Sequence, residues 1–557
     1  MRWWIAFAAV VLAWAWPLQS VGCGQNAHYA ATRSIAHGTP YVDRYAQETC
    51  DLVRRGGHFY AAKGPAMDFW SAPWYLLLHA AHAVPHNRNA GMSFPAAMVG
   101  VPLRAIWQIG LWAVVLPGAF LLLLMRRAAE DVEPGTGATV AVILGLGTLV
   151  LPFATLLFAH VPAALLGFAS FLLLYERRSP LLAGACAGLA VATDLPLLVV
   201  AAALLVYAWR RAPQFALGAI AGALPLWAFD VWAFGDPLRI AYSGAAINPG
   251  AGGVEQAHVH NLFFTLTTPH PHLAVQMLLT QRGLVTLSPV LAGAVAGVVL
   301  LWRRGLRAEA ALICALAVAE VGWNAFRPNY ELALGGWAPG PRFLVPLLPF
   351  LCFALAPVVR RAPATVAALA AVSIGAMTVA TSAEPLLSND DTHHWIARIA
   401  DGNFAATILS LAGIGHGWLA IVPFYVLVAL AMLAAVPRFG VYRRDLVMAV
   451  AALAAWIVVE HGAPELLHVD DLVRESWGAL AALLLLAAAI WAVARLRPEG
   501  LLLLPFALLA FDRHTKWAVL LAAAVVLLES TQWLRSTGST VLRPSTTSWV
   551  RRRSSGR

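Results

Sequence analysis

The chain is poor in charge and almost devoid of lysine. Of its 557 residues only 12% are charged while 60% are hydrophobic, at a mean hydropathy of +0.71. Soluble globular domains carry about 25% charged residues, so a soluble multidomain enzyme is excluded. Only Lys63 and Lys516 are lysines, so the net charge of +10 rests on arginine. No basic face interleaved with stacking aromatics accompanies that charge, which excludes nucleic acid as a partner. Also missing are a P-loop, a dinucleotide-binding glycine fingerprint, a His-Glu-x-x-His pair and a Gly-x-Ser-x-Gly elbow placed between strand and helix. ATPase, oxidoreductase and hydrolase readings therefore have no residues to carry them. Cysteine is scarce, with five in the chain. Cys186, Cys314 and Cys352 fall in apolar runs and read as small apolar side chains. Cys23 and Cys50 share one non-membrane segment, where an oxidising compartment would join them; the alternative is two free thiols.

What the chain has in abundance is apolar runs of about 15–20 residues, each long enough to cross roughly 30 Å of hydrocarbon. The expected fold is all-α, a polytopic transmembrane bundle of about 12–16 spans. Spans are expected near 3–20, 106–125, 138–158, 161–175, 181–193, 196–209, 214–234, 286–302, 309–326, 343–357, 364–381, 417–435, 446–461, 477–494, 499–511 and 516–533. Arg2 and the apolar run to Pro17 read as a retained first helix. The 22 tryptophans suit interfacial belts.

Charge sorts by side in this map. Arg126/Arg127, Arg177/Arg178, Arg210/Arg211, Arg303/Arg304, Arg360/Arg361 and Arg443/Arg444 all fall on one face, which the positive-inside rule makes cytoplasmic, with both termini on it. Acidic residues such as Asp43, Asp51, Asp68, Asp236 and Asp390 collect on the other face. The loops on that extracytoplasmic side of the cell membrane are long: 21–105, 235–285 and 382–416. The first is expected to fold as amphipathic helices on the outer surface and to hold any chemistry. Three regions follow: a catalytic core over 1–360, C-terminal transmembrane helices over 361–534, and a basic tail over 535–557 lying on anionic lipid headgroups.

The densest polar signal is in that first loop. It runs from His28-Tyr29 through Asp43 and Asp51 to His58, Tyr60 and Lys63. A carboxylate can take a proton from an attacking hydroxyl, and a lysine can neutralise phosphate. A compact ammonium in a chain that otherwise uses arginine marks a place where a point charge is wanted. Carboxylates in spans are costly, about 2.5–3.5 kcal/mol at a helix centre. This makes Asp194, at a Thr-Asp-Leu-Pro break, and Glu320 candidates for lining a pocket. Asp390-Asp391-Thr392-His393-His394 and His258-Val259-His260 hold metal-ligand types, but spacing in a loop defines no site, so no metal or other cofactor is expected.

Several segments, in order, resemble GT-C glycosyltransferases, polytopic membrane enzymes that use polyprenyl-phosphate sugars. Gly57-His58-Phe59-Tyr60-Ala61-Ala62-Lys63-Gly64-Pro65 is similar to the aromatic-x-x-Lys-Pro segment of that family's first outer loop. Phe234-Gly235-Asp236-Pro237 with Tyr242 looks like its outward turn. Arg282-Gly283-Leu284 with Ser288-Pro289 looks like the start of one of its helices. Gly335-Gly336-Trp337 and Gly340-Pro341-Arg342-Phe343-Leu344 look like its Gly-Pro-Arg motif, the most specific of the set. The resemblance covers residues 1 to about 360. It implies inverting transfer of a sugar from a polyprenyl-phosphate donor to a glycan, lipid or protein acceptor. Asp43 would act on the acceptor hydroxyl, with Asp51 as second candidate; Lys63 and Arg342 would hold the donor phosphate, His58 and Tyr60 would bind phosphate or sugar, and the prenyl tail would lie between spans. Many family members carry an Asp-Glu pair directly after the first helix, where this chain has Gly24-Gln25-Asn26. That departure keeps a non-catalytic scaffold of the same fold in view, beside a transporter or lipid flippase.

Overall fold

The computed structural model describes residues 1–241, 245–248, 254–258, 268–327, 329–386 and 392–466. The spans expected at 477–494, 499–511 and 516–533 and the tail over 535–557 lie outside the described residues.

Helices dominate, and their boundaries follow proline, glycine and charge. The first is α1 (Arg2–Ala15). After a non-membrane region containing α2 (Cys23–Ala36) and α3 (Ala66–Ala80), α4 spans Leu103–Val132. Then come α5 (Gly137–Leu146), α6 (His160–Tyr175), α7 (Pro180–Thr193), α8 (Leu198–Tyr207), α9 (Ala212–Gly222) and α10 (Leu224–Phe234). The series ends with α11 (Gly293–Arg303), α12 (Arg307–Asn324), α13 (Leu348–Arg361), α14 (Pro363–Ser382), α15 (Gly417–Ala435) and α16 (Arg443–Leu466). At the start of α7, Pro180 has the fixed φ suited to a first turn. The Ser179 hydroxyl there accepts from the Leu182 N–H at 3.2 Å.

Among the described residues, four helical stretches are long and apolar enough to cross a membrane: Leu103–Val132, Arg342–Arg361, Pro363–Ser382 and Gly417–Ala435. Two pairs are bent, Leu195–Tyr207 against Trp209–Gly222 by 86° and Pro271–Leu287 against Pro289–Arg303 by 104°. The single span expected over 214–234 is instead α9 and α10, divided where Pro225 lacks the N–H to continue the helix.

The bundle has two chemically distinct ends. At one, Glu133 accepts from Arg304 and, at 3.0 Å, from Arg360, and Arg127 pairs with Glu176 at 2.7 Å. At the other lie the start of α6, the end of α7 and the segment leading into α13. The turns of Arg127, Arg178, Arg304 and Arg360, expected on one side from sequence, thus lie at one end of the bundle.

α7 and α9 cross through glycine. A Cβ on Gly184 or Gly188 would collide with the carbonyl oxygen of Phe215 or Ala219, and one on Gly218 or Gly222 with that of Leu181 or Ala185. Two small-xxx-small stripes therefore interlock backbone to backbone, the close approach that drives helix association in lipid. Gly188→Leu is expected to cost at least about 3 kcal/mol, because a backbone carbonyl cannot rotate away as a side chain can. It should lower the melting temperature of the detergent-solubilised chain by several degrees; an unshifted melt would refute the packing.

The non-membrane region over 21–105 is only partly the set of amphipathic helices expected. It also contains a hairpin, β1 (Leu52–Arg55) and β2 (His58–Ala61), in the register Arg55 opposite His58. Gly56 and Gly57 form the turn at φ +56° and +87°, the left-handed pair that a two-residue hairpin loop demands. On its other edge β1 pairs antiparallel with β3 (Ala245–Asn248), itself paired with β4 (Val254–His258), which links the first long loop to the second.

Candidate active site

The hairpin and α2 are stapled together beside the bundle. Cys23, at the start of α2, is disulfide-bonded to Cys50, with their Cα atoms 5.1 Å apart. The Thr49 hydroxyl donates to the Cys23 carbonyl at 2.7 Å, and Asn26 donates to the Glu48 carbonyl at 2.7 Å. Gln25 donates to the Ser20 carbonyl at 2.8 Å and accepts from the Leu157 N–H at 3.1 Å. The Gln25-Asn26 that stands in place of an acidic pair is thus structural. The bonds of Asn26 and Thr49 fix the segment that leads into Asp51.

Asp51 pairs with Lys63, which follows β2. Gly64 brings this segment against the end of α7: a Cβ there would lie 2.5 Å from the Thr193 carbonyl oxygen. Only glycine permits the approach, which seats Lys63 near Asp194. Around these side chains is a cavity of about 240 Å³ whose wall includes His28, Asp51, Lys63, His160, Asp194, Arg327 and Arg342.

Arg342 reaches the cavity from the Gly-Pro-Arg segment, its guanidinium 5.2 Å from the Phe158 ring and 5.4 Å from that of Phe343. Gly335 and Gly336, at φ +97° and +81°, turn the chain there, and a Cβ on Gly335 would strike the Arg342 side chain. The Arg327 guanidinium, in a residue 4% exposed, also lies near this cluster, 5.3 Å from the Phe343 ring. Guanidinium over aromatic faces holds charge in a dry wall with modest loss of hydration.

Two buried Asp–His pairs also border the cavity. His160, at the first turn of α6, contacts Asp194 at 2.6 Å through Nδ1, and its Nε2 has no hydrogen-bond partner among the described residues. His28 on α2 contacts Asp68 on α3 at 2.8 Å, with exposures of 1% and 2%. Burial pushes the Asp68 carboxyl above its ordinary range, and His28 opposes the shift.

Other candidates lie elsewhere. Asp43, ahead of the hairpin, accepts from the Phe59 N–H at 2.6 Å and contacts His58 at 2.6 Å; both side chains are exposed, and neither lines the cavity. The His58 ring stacks on Tyr41 at 4.3 Å. Tyr60 is buried and donates to the Ala233 carbonyl at 3.3 Å, docking the hairpin on α10; burial, then the Asp43 carboxylate, push its hydroxyl up. Glu320 is buried within α12 but does not line the cavity. Among the described residues no three His, Cys, Asp or Glu side chains gather as a metal site. Asp390-Asp391 and Val259-His260 lie outside the described residues.

Sequence reasoning missed His160 and gave Arg327 no role at a site. His160 opens an apolar run behind Ala159 and meets Asp194 across 34 positions, so no local spacing announces the pair.

No family model matches the chain, and comparison with curated proteins yields no match. Among solved structures it is similar to the crystal structure of ArnT from Cupriavidus metallidurans bound to undecaprenyl phosphate. The two share 15% identity at a TM-score of 0.42, over 95% of this chain and 77% of that one. The apo state of the same protein aligns at 15% identity and a TM-score of 0.43, over 81% of this chain and 80% of that one. These structural neighbours are ArnT.

Proposed function

We propose that the chain is a membrane glycosyltransferase of the GT-C type, moving a sugar from a polyprenyl-phosphate donor to an acceptor on the extracytoplasmic side. The observation that carries this reading is the adjacency of two spaces. The polar cavity, walled by Lys63, Arg327 and Arg342, shares Thr193 with an apolar groove of about 510 Å³ between α3, α4, α6 and α7. Met67, Trp70, Phe120 and Leu166 line that groove. A phosphate with a long hydrocarbon tail has this division of polar head and greasy body, and a groove between helices suits a prenyl chain.

In the reaction the acceptor oxygen bonds to the anomeric carbon as the bond from that carbon to the phosphate oxygen breaks, inverting the centre. Lys63 and Arg342 neutralise the charge that grows on the departing phosphate. Asp51, held in the cavity wall, takes the acceptor proton or aligns its hydroxyl. His160, oriented by Asp194, presents Nε2 to the phosphate. The favourable placement of Asp51 supports it as the acting carboxylate in preference to Asp43, which the hairpin holds outside.

The test is incubation of the purified chain with radiolabelled polyprenyl-phosphate sugars, scoring release of sugar from the lipid. Turnover by the wild type is the expected result. Donor binding without turnover would favour a scaffold, and no donor binding would move a transporter ahead.

A further inference from the structure

The arginine-rich end of the bundle holds a second cavity, of about 460 Å³, at the opposite ends of α6 and α7 from the catalytic one. Three turns converge on it: Tyr175–Pro180 between α6 and α7, Tyr207–Arg211 between α8 and α9, and Gly305–Glu309 between α11 and α12. Each turn ends an apolar run, so interfacial arginines are expected in each. The convergence of the arginines of the first two turns around one space is not explained by that rule.

Arg177, Arg178, Arg210 and Arg211 line the cavity. Arg178 pairs with Glu176 at 2.6 Å. Arg177, Arg210 and Arg211 have no acidic partner among the described residues. The one carboxylate in the wall, Glu309, is buried and accepts a hydrogen bond from the Tyr207 hydroxyl at 2.9 Å. The contrast with a neighbouring site at the same end is informative, since there Glu133 takes both Arg304 and Arg360. Arg177 also stands at φ +55°, the left-handed position after a helix that glycine usually fills.

Beside the arginines the surface is apolar. Trp209 is 68% exposed and Val206 72% exposed, and the Arg210 guanidinium lies 4.9 Å from the Trp209 ring. A guanidinium fork matches phosphate oxygens in pairs, and the adjoining apolar side chains would meet acyl chains. A soluble anion would use the first feature and leave the second idle.

We propose that this cavity binds the phosphate headgroup of an anionic lipid in the leaflet on the arginine-rich side, held by Arg177, Arg210 and Arg211. The proposal is independent of the transferase reading, since it uses none of the residues of the catalytic cavity.

Native mass spectrometry tests it with the full chain in mixed micelles holding equal phosphatidylglycerol and phosphatidylcholine. Retention of one phosphatidylglycerol in preference to phosphatidylcholine is expected. Arg210→Gln/Arg211→Gln should weaken that retention about tenfold or more. Arg438→Gln/Arg443→Gln, removing equal charge from another turn, should leave it within about twofold. Millimolar inorganic phosphate should not displace the lipid. Should the first double variant fail to melt cooperatively, Arg177→Gln carries the same comparison. Equal retention of the two lipids, or equal loss in both double variants, would overturn the proposal in favour of general surface attraction. Displacement by inorganic phosphate would overturn it in favour of a soluble-anion site.

Discussion

Lys63→Gln is expected to lower turnover about 10²–10³-fold, the loss seen when one preorganised stabiliser of developing charge is removed. Lys63 is paired with Asp51 in the cavity wall and only 13% of its side chain is exposed, so water replaces it poorly. Lys63→Arg should not rescue. Gly64 pins the adjoining backbone against the Thr193 carbonyl, leaving no slack for a wider guanidinium. Asp51→Asn separates charge neutralisation from action on the acceptor. It removes a negative charge from a phosphate site, so donor binding should hold or tighten while turnover collapses. Asp43→Asn, exposed beside the hairpin and outside the cavity wall, should leave turnover within a few-fold of wild type. Donor-binding isotherms beside single-turnover rates check the set. Loss of turnover in Asp43→Asn with full activity in Asp51→Asn would reverse the assignment.

The expected outcome for Asp43 shows where sequence reading stops. The bundle was legible because its cause is local: apolar runs, arginine at their ends and proline at their breaks are all read within about twenty residues. That Lys63 and Arg342 come to one cavity was legible because glycine-rich motifs mark places where backbone must turn or approach closely, and Gly64, Gly335 and Gly336 do so. The hairpin had a signal that was not used. Gly56-Gly57 lies between Leu52-Val53 and Phe59-Tyr60, a two-residue turn between strand formers. Recognising it would have placed His58 opposite Arg55 near the turn, away from Lys63. That Asp51 lines the cavity and Asp43 does not was not legible, because the Cys23–Cys50 bond and the bonds of Thr49 and Asn26 place Asp51, and these join residues more than twenty positions apart. The reciprocal glycines of α7 and α9 were likewise visible as Gly-x-x-x-Gly in each helix, yet only their crossing shows that they face one another.

His160→Ala is expected to weaken donor binding about 10–10²-fold, the worth of a hydrogen bond to a charged group. Asp194→Ala should do nearly the same. With its Nδ1 bonded at 2.6 Å to Asp194, the ring leaves Nε2 as the nitrogen without a partner among the described residues; without that carboxylate, ring orientation and tautomer are no longer held. The two residues therefore act as one unit, and His160→Ala/Asp194→Ala should bind donor no worse than His160→Ala alone. Stability should run the other way from simple addition. Removing the imidazole strands a carboxylate whose side chain is 10% exposed, at a cost of about 3 kcal/mol, whereas removing both partners strands nothing. The double variant should thus melt above His160→Ala. Donor-binding titrations and melting curves on the three variants form a double-mutant cycle for each property. Additive losses in binding would show that the residues act separately, leaving Lys63 and Arg342 to hold the phosphate without an oriented imidazole. Non-additive binding with a recovered melt would establish the pair as a single positioned hydrogen-bonding group of the donor site.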